Sequence, residues 1–335
     1  VIAALLLVGL TMLVLSMLLA PLEALGWWAG WFGEEVDEPV APPTMQADYR
    51  QFGRDKTPDR FVVYLDGIAK VGHSNYDDVS GLLDRLSAAL PATVVLGDIM
   101  PYSVRNLELT KGRPLSRFWR RMLQFKLEGR QPLLAFTINV RNLLQVLVAA
   151  DNRYAPIYGR GEAQLIAASL LANGYRPGSG APIVIVGYSG GVQVGLVCVP
   201  FLKRALDAPI TMISLAGVMA SEPGMNQLEH FHHIESSSDK IPLYGRVMFP
   251  GRWRVARGSH FNRLRRSGRM TTHRLPPMRH NGADSYLDDA AYIDGKSHQE
   301  ITAELLVELV RSVAVVSPPR PVSGDGLTSR QERRN

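Results

Sequence analysis

Apolar positions recur along this chain in two rhythms. Short, nearly continuous apolar runs predict buried strands at Phe61 to Leu65, Thr93 to Leu96, Ile183 to Val186 and Ile210 to Leu215, and Phe231 to Glu235 and Met270 to Leu275 read as further strands. Between them, apolar residues spaced by three and four predict helices over Asp77 to Leu90, Ser116 to Leu127, Phe136 to Ala150, Gly161 to Asn173, Gly191 to Val199 and Glu300 to Val313. Local punctuation supports several of these boundaries. Gly174 follows the fourth helix as a C-terminal stop, Pro200 kinks or ends the fifth, and Ser297-x-x-Glu300 is a capping box opening the last. Strands alternating with helices imply an α/β fold, a mostly parallel sheet with helices on both faces and functional loops at the carboxyl ends of the strands. No internal repeat is evident.

The amino-terminal pattern is different. Residues Val1 to Leu22 carry no charge and, at about 1.5 Å per residue, are long enough to cross a bilayer core. Trp27, Trp28, Trp31 and Phe32 follow, and such rings favour the membrane interface. Residues 1–33 are therefore expected to form a single transmembrane helix with an aromatic belt. A cleaved signal peptide competes, since Ala20 precedes Pro21, but the run exceeds the usual apolar region of about 7 to 15 residues. Glu34, Glu35, Asp37 and Glu38, with no nearby Lys or Arg, favour a catalytic domain on the non-cytoplasmic side. Residues 34–59, acidic and containing Pro39, Pro42, Pro43 and Pro58, read as a linker; residues 60–315 as the globular domain; residues 316–335 as a disordered tail.

Composition changes this picture little. With 335 residues, 46% hydrophobic and 20% charged, the chain can bury one substantial core. Its 37 basic and 31 acidic residues leave a formal charge of +6, compatible with anionic surfaces, and no zinc-finger spacing or RNA-binding signature points to nucleic acid. The single cysteine, Cys198, lies in an apolar stretch and rules out an intrachain disulfide.

The chemistry concentrates at Gly187-Tyr188-Ser189-Gly190-Gly191, between a β-branched strand and a charge-free helix. This is the pattern of a nucleophile elbow, in which a tight turn exposes a serine to a neighbouring base. Gly187 and Gly191 keep bulk from the crowded backbone, and Gly190 can offer its N–H to a developing oxyanion.

With a strand ending at Asp66-Gly67, the later elbow, and acidic and histidine candidates after it, the region from about Arg60 to Val315 resembles the α/β-hydrolase superfamily. That resemblance implies the chain order nucleophile, acid, histidine. His73, His230, His232 and His233 then come too early, His260 lies in an arginine-rich loop and His273 in a strand, leaving His280 and His298. His280 follows the last strand and opens a loop running to Tyr286-Leu287, as in many members, and is the expected base; His298, near the first turn of the closing helix, is the alternative. Asp239, in the small-residue loop Ser236-Ser237-Ser238-Asp239 after a strand, is the expected acid, with Glu222 in reserve. Gly190 and either Gly67 or Ile68 are the expected oxyanion donors, a departure from the His-Gly-Gly-Gly version of many lipases and esterases.

These residues imply a serine hydrolase acting on an ester, thioester or lipid acyl bond, without metal or organic cofactor. An acyltransferase on the same scaffold and a catalytically silent, membrane-tethered interaction module are the alternatives. From Arg246 to Arg279 the chain carries ten arginines and no acid. They read either as contacts to anionic lipid headgroups, at about 1 kcal/mol each, or as a solvated loop with some arginines on aromatics such as Trp253. Metal binding at His230, His232 and His233 is disfavoured because strand alternation sends neighbours to opposite faces.

Overall fold

The computed structural model describes residues 20–29, 58–71, 76–105, 116–128 and 132–315. Six strands form one wholly parallel sheet: β1 (Arg60–Leu65), β2 (Thr93–Leu96), β3 (Ile183–Tyr188), β4 (Ile210–Leu215), β5 (His230–Ser236) and β6 (Met270–Leu275), in the order β2-β1-β3-β4-β5-β6. Every strand expected from the sequence is present. A short antiparallel pair, β7 (Tyr292–Ile293) and β8 (Lys296–Ser297), was not expected.

Strand alternation divides the core in two. Phe61, Val63 and Leu65 of β1 face one cluster, and Val62 and Tyr64 face the other. The first face is covered by α1 (Leu22–Trp28), α3 (Ser116–Leu127), α4 (Pro132–Ala150), α5 (Ala155–Ala172) and α6 (Gly191–Leu206). The second is covered by α2 (Asp77–Ala89) and α9 (His298–Ser312), whose Leu82, Leu86, Leu306 and Val310 are fully buried. The capping box opening α9 is formed in both directions: Ser297 Oγ accepts from Glu300 N, and the Glu300 carboxylate accepts from Ser297 N.

Three departures from the sequence reading have physical causes. Helix α6 runs through Pro200 to Leu206. Proline removes the hydrogen bond to the carbonyl of Leu196, and that carbonyl lies against Gly224, where a Cβ would overlap it. Helices α4 and α5 begin earlier than their apolar spacing indicates, α5 with Pro156 in its first turn. The arginine-rich segment, in which β6 was expected, also contains the end of α7 (Ile241–Met248) and all of α8 (His260–Arg266).

Residues 1–19 of the transmembrane expectation fall outside the described residues, as do the belt residues Trp31 and Phe32, most of the linker, His73 and the whole tail. No helix among the described residues is long and apolar enough to cross a membrane. Trp27 corrects the belt reading: it is buried in the core, its ring fitting beside Gly161 of α5, while Trp28 is 63% exposed. Glu23 of the same helix pairs with Arg141 of α4 at 2.8 Å.

Candidate active site

Strand β3 delivers Ser189 into a turn where its φ is +52°, a left-handed conformation that a non-glycine residue adopts only when its surroundings hold it. Here they do so by hydrogen bonds on both sides: Ser189 N donates to Leu215 O at 3.0 Å, and Ser189 O accepts from Val218 N at 3.0 Å. The flanking glycines are sterically required. A Cβ at Gly187 would lie 2.7 Å from Val192 N, and one at Gly191 would overlap the carbonyl oxygen of Leu65 in the neighbouring strand. Because the atoms that a Cβ at Gly191 would meet, in Leu65 and Asp66, are all backbone, Gly191→Ala is expected to destabilise the fold by about 3 kcal/mol or more, measurable as a lowered urea midpoint.

The side chains the sequence singled out converge here. His280 Nε2 lies 2.8 Å from Ser189 Oγ, and His280 Nδ1 lies 2.8 Å from Asp239 Oδ2. All three residues are buried, none more than 9% exposed. Asp239 Oδ1 also accepts from Ile241 N at 2.9 Å, which fixes the carboxylate. An imidazole bridging a hydroxyl and a carboxylate in this way can take the hydroxyl proton while its other N–H stays bonded.

Neither alternative joins them. His298 is buried at the start of α9, with Nδ1 3.2 Å from Ser285 O. Glu222 accepts from Gln193 Nε2 at 2.7 Å, and Gln193 Oε1 in turn accepts from Ala220 N at 2.7 Å. Burial pushes the Glu222 carboxyl up to about 7, the Gln193 amide opposing it. An unfolded chain releases this proton near 4.5, so as pH rises from 4.5 to about 7 the unfolded state ionises first and stability falls. The loss is on the order of 2 to 3 kcal/mol. Between pH 5 and 8 the urea midpoint is expected to fall by less in Glu222→Gln than in the native chain, the difference corresponding to this contribution.

Several positioning residues were missed by the sequence reading. Ser236 Oγ donates to Pro276 O at 2.7 Å and accepts from Met278 N at 2.8 Å, tying the loop of Asp239 to the loop of His280. Tyr286 OH accepts from Ser236 N at 2.9 Å. Tyr188 stacks on the His280 ring, centroids 5.5 Å apart and planes 16° apart, and its hydroxyl donates to His280 O. Tyr188 occupies the variable position of the elbow motif, which carries no signal of its own.

The loop after β1 lies against Ser189 and Gly190: a Cβ on Gly67 would meet Ser189 Cβ at 3.4 Å, and one on Gly190 would meet Ile68 Cγ2 at 3.1 Å. Of the two donors expected there, Gly67 N is taken, donating to Asp66 Oδ1 at 2.7 Å. Ile68 N has no partner among the described residues. The loop carbonyls are held from outside: Asp66 O by Tyr102 OH at 2.8 Å, Ile68 O and Lys70 O by Asn142 Nδ2 at 2.8 and 2.7 Å, and Ala69 O by Lys126 Nζ at 2.9 Å. Asp66 is buried, and that burial pushes its carboxyl above the ordinary range.

Among the described residues, no group of three or more His, Cys, Asp or Glu is placed to hold a metal ion. His230 and His232 share one face of β5 with His273 of β6, His232 Nδ1 lying 3.1 Å from His273 Nε2. His233, on the opposite face, meets Ser214 Oγ at 2.9 Å, and burial holds its imidazole down to about 3.

No family model and no curated protein matches the chain. Among solved structures it is similar to a dienelactone hydrolase-like promiscuous phosphotriesterase from metagenomic libraries, with 13% identity, 76% of this chain and 87% of that one covered, and a TM-score of 0.43. So loose a likeness carries no argument about chemistry. The parallel sheet with helices on both faces fits the α/β-hydrolase arrangement that the motif order implies.

Proposed function

We propose that this chain is a serine hydrolase that cleaves an ester, thioester or lipid acyl bond through an acyl-enzyme. The observation that carries the reading is the relay of Ser189 Oγ, His280 and Asp239, 2.8 Å at each step, on a strained strand-to-helix turn. His280 Nε2 takes the Ser189 proton as Oγ attacks the acyl carbonyl, and Asp239 holds the tautomer and stabilises the imidazolium. Negative charge on the tetrahedral oxygen meets the N–H groups of Gly190 and Ile68. Collapse expels the alcohol or thiol, which takes the proton from His280. A water then loses a proton to the same nitrogen and attacks the acyl carbon; collapse breaks the bond to Ser189 Oγ, which takes the proton back from His280 as the acid leaves. The steps as written draw on no metal or organic cofactor. The uncharged residues 1–22, and the acidic run after them, support tethering to a membrane with this domain on the non-cytoplasmic side.

Oxyanion stabilisation also assigns work to Asn142. Lys70 N donates to Gly67 O at 3.1 Å, which orients the peptide plane carrying the Ile68 N–H, and the buried Asn142 amide anchors this turn by holding the carbonyls of Ile68 and Lys70. Loss of a direct oxyanion donor costs about 10² to 10³ in turnover. Asn142→Ala, which loosens the donor without removing it, is expected to lower kcat by about tenfold with KM nearly unchanged. Steady-state kinetics on an activated ester check this split.

A series of p-nitrophenyl esters of increasing chain length tests the function. Hydrolysis by the native chain, lost in Ser189→Ala, is expected. A folded native chain that hydrolyses none of the series, or hydrolysis independent of Ser189, would overturn the proposal.

A further inference from the structure

Helix α7 begins two residues after Asp239 and turns an apolar face to solvent. Leu243, Tyr244, Val247 and Met248 are all more than half exposed, and Trp253 and Val255 continue the face, Val255 being 82% exposed. Six large apolar side chains in thirteen residues form a patch that a water-facing surface rarely carries without a partner. The patch is built into the fold. Trp253 Nε1 donates to Arg246 O at 2.9 Å, seating the ring at the end of α7, and the buried Asn262 amide donates to Trp253 O at 2.8 Å and Ala256 O at 3.0 Å.

Charge narrows the partner. Arg246 is already paired with Glu235. Arg254 and Arg257, interleaved with the apolar residues, are exposed and have no acidic partner among the described residues, and no acid occurs in sequence from Arg246 to Arg279. Arg252 is set apart from this surface: it is buried with its guanidinium 4.8 Å from the Phe261 ring, so the arginine-on-aromatic contact foreseen for this segment falls on Phe261. Exposed Trp and Tyr rings and aliphatic side chains beside unpaired arginines match the boundary of an anionic bilayer, where rings sit at headgroup depth and guanidinium groups meet phosphates.

We propose that α7 and the following turn, Leu243 to Arg257, dock on an anionic lipid surface. The docking face is rigidly coupled to the candidate active site. Ile241 N bonds Asp239, Gly245 packs within 3.2 Å of Val218 Cγ1 were it to carry a Cβ, and Val218 N bonds Ser189 O. The docking face is thereby joined through direct contacts to the segments that hold Asp239 and Ser189. Relevance to catalysis rests on the hydrolase reading, but the docking does not.

The test uses the full chain carrying Ser189→Ala, so that its outcome is independent of catalysis. An environment-sensitive fluorophore is attached at Val255→Cys, the native Cys198 being fully buried. Vesicles of phosphatidylglycerol mixed with phosphatidylcholine are expected to shift its emission to the blue, whereas pure phosphatidylcholine is not. The same fluorophore at Ser87→Cys, exposed on α2, is expected to show no shift. Neutralising Arg254 or Arg257 to Gln is expected to weaken the response about fivefold for each arginine. No shift at position 255, equal shifts in both lipids, or equal shifts at 87 and 255 would overturn the proposal. So would a response to soluble polyglutamate with none to vesicles, which would assign the arginines to an acidic protein.

Discussion

Replacing Ser189 by alanine is expected to lower turnover of an activated ester by on the order of 10⁶, the size of loss seen when a triad serine is removed. The expectation is specific because only Oγ is lost. The Cβ remains where the elbow already accommodates it, and the backbone bonds to Leu215 and Val218 do not involve the side chain. Alanine tolerates the φ of +52° no worse than serine does, so the thermal transition is expected to stay within a few degrees. Residual activity then measures what the proposed Gly190 and Ile68 donors and substrate binding achieve without a nucleophile. Turnover close to native in a folded Ser189→Ala chain would mean that the reaction runs elsewhere.

The second large effect separates the two candidate bases. His280→Ala is expected to cost nearly as much as Ser189→Ala, and the double variant little more than either, because the hydroxyl and imidazole act as one unit. Asp239→Asn is expected to cost about 10⁴, the carboxamide favouring the wrong imidazole tautomer. His298→Ala removes the contact with Ser285 O and a buried ring at the start of α9, away from Ser189, and is expected to leave kcat within a few-fold of native at a cost of about 2 kcal/mol or more of stability. Single-turnover measurements on these variants check the order. Activity that survives in His280→Ala and disappears in His298→Ala would reverse the assignment.

Much of this site was legible because its chemistry is local. The elbow needs glycine at 187 and 191 for steric reasons that hold wherever the strand and helix pack, and the close approach of Gly191 to Leu65 O is the three-dimensional form of that need. Asp239 and His280 were readable only through the chain order that the resemblance implies, since 41 residues separate them and no spacing encodes their contact. What escaped is long-range. Asn142 looks like an ordinary polar position in an apolar helix, and only the packing of α4 on the loop after β1 brings it to Ile68 and Lys70. The choice between Gly67 and Ile68 likewise turned on a side chain, Asp66, that occupies one of the two donors.

The fold was misread where tertiary contacts override local preference. Pro200 is a helix breaker by its chemistry, yet α6 continues through it to Leu206, buried at Leu202 and Leu206, with Gly224 packed against the Leu196 carbonyl that proline leaves without its usual donor. Trp27 carries the character of an interfacial residue, but a small-residue gap at Gly161 admits its ring to the core. The arginine-rich stretch reads as loop by composition, whereas Phe261 and Leu264 bury one side of α8 and Ser259 Oγ caps it by accepting from Asn262 N.

Labelling with a fluorophosphonate probe most directly tests whether Ser189 is an activated nucleophile, since phosphonylation requires attack by the serine oxygen with help from a base. Mass spectrometry of the folded native chain is expected to find one adduct, on the peptide carrying Ser189, lost in Ser189→Ala and formed far more slowly in His280→Ala. No adduct on the folded native chain, or undiminished labelling of Ser189→Ala, would contradict it.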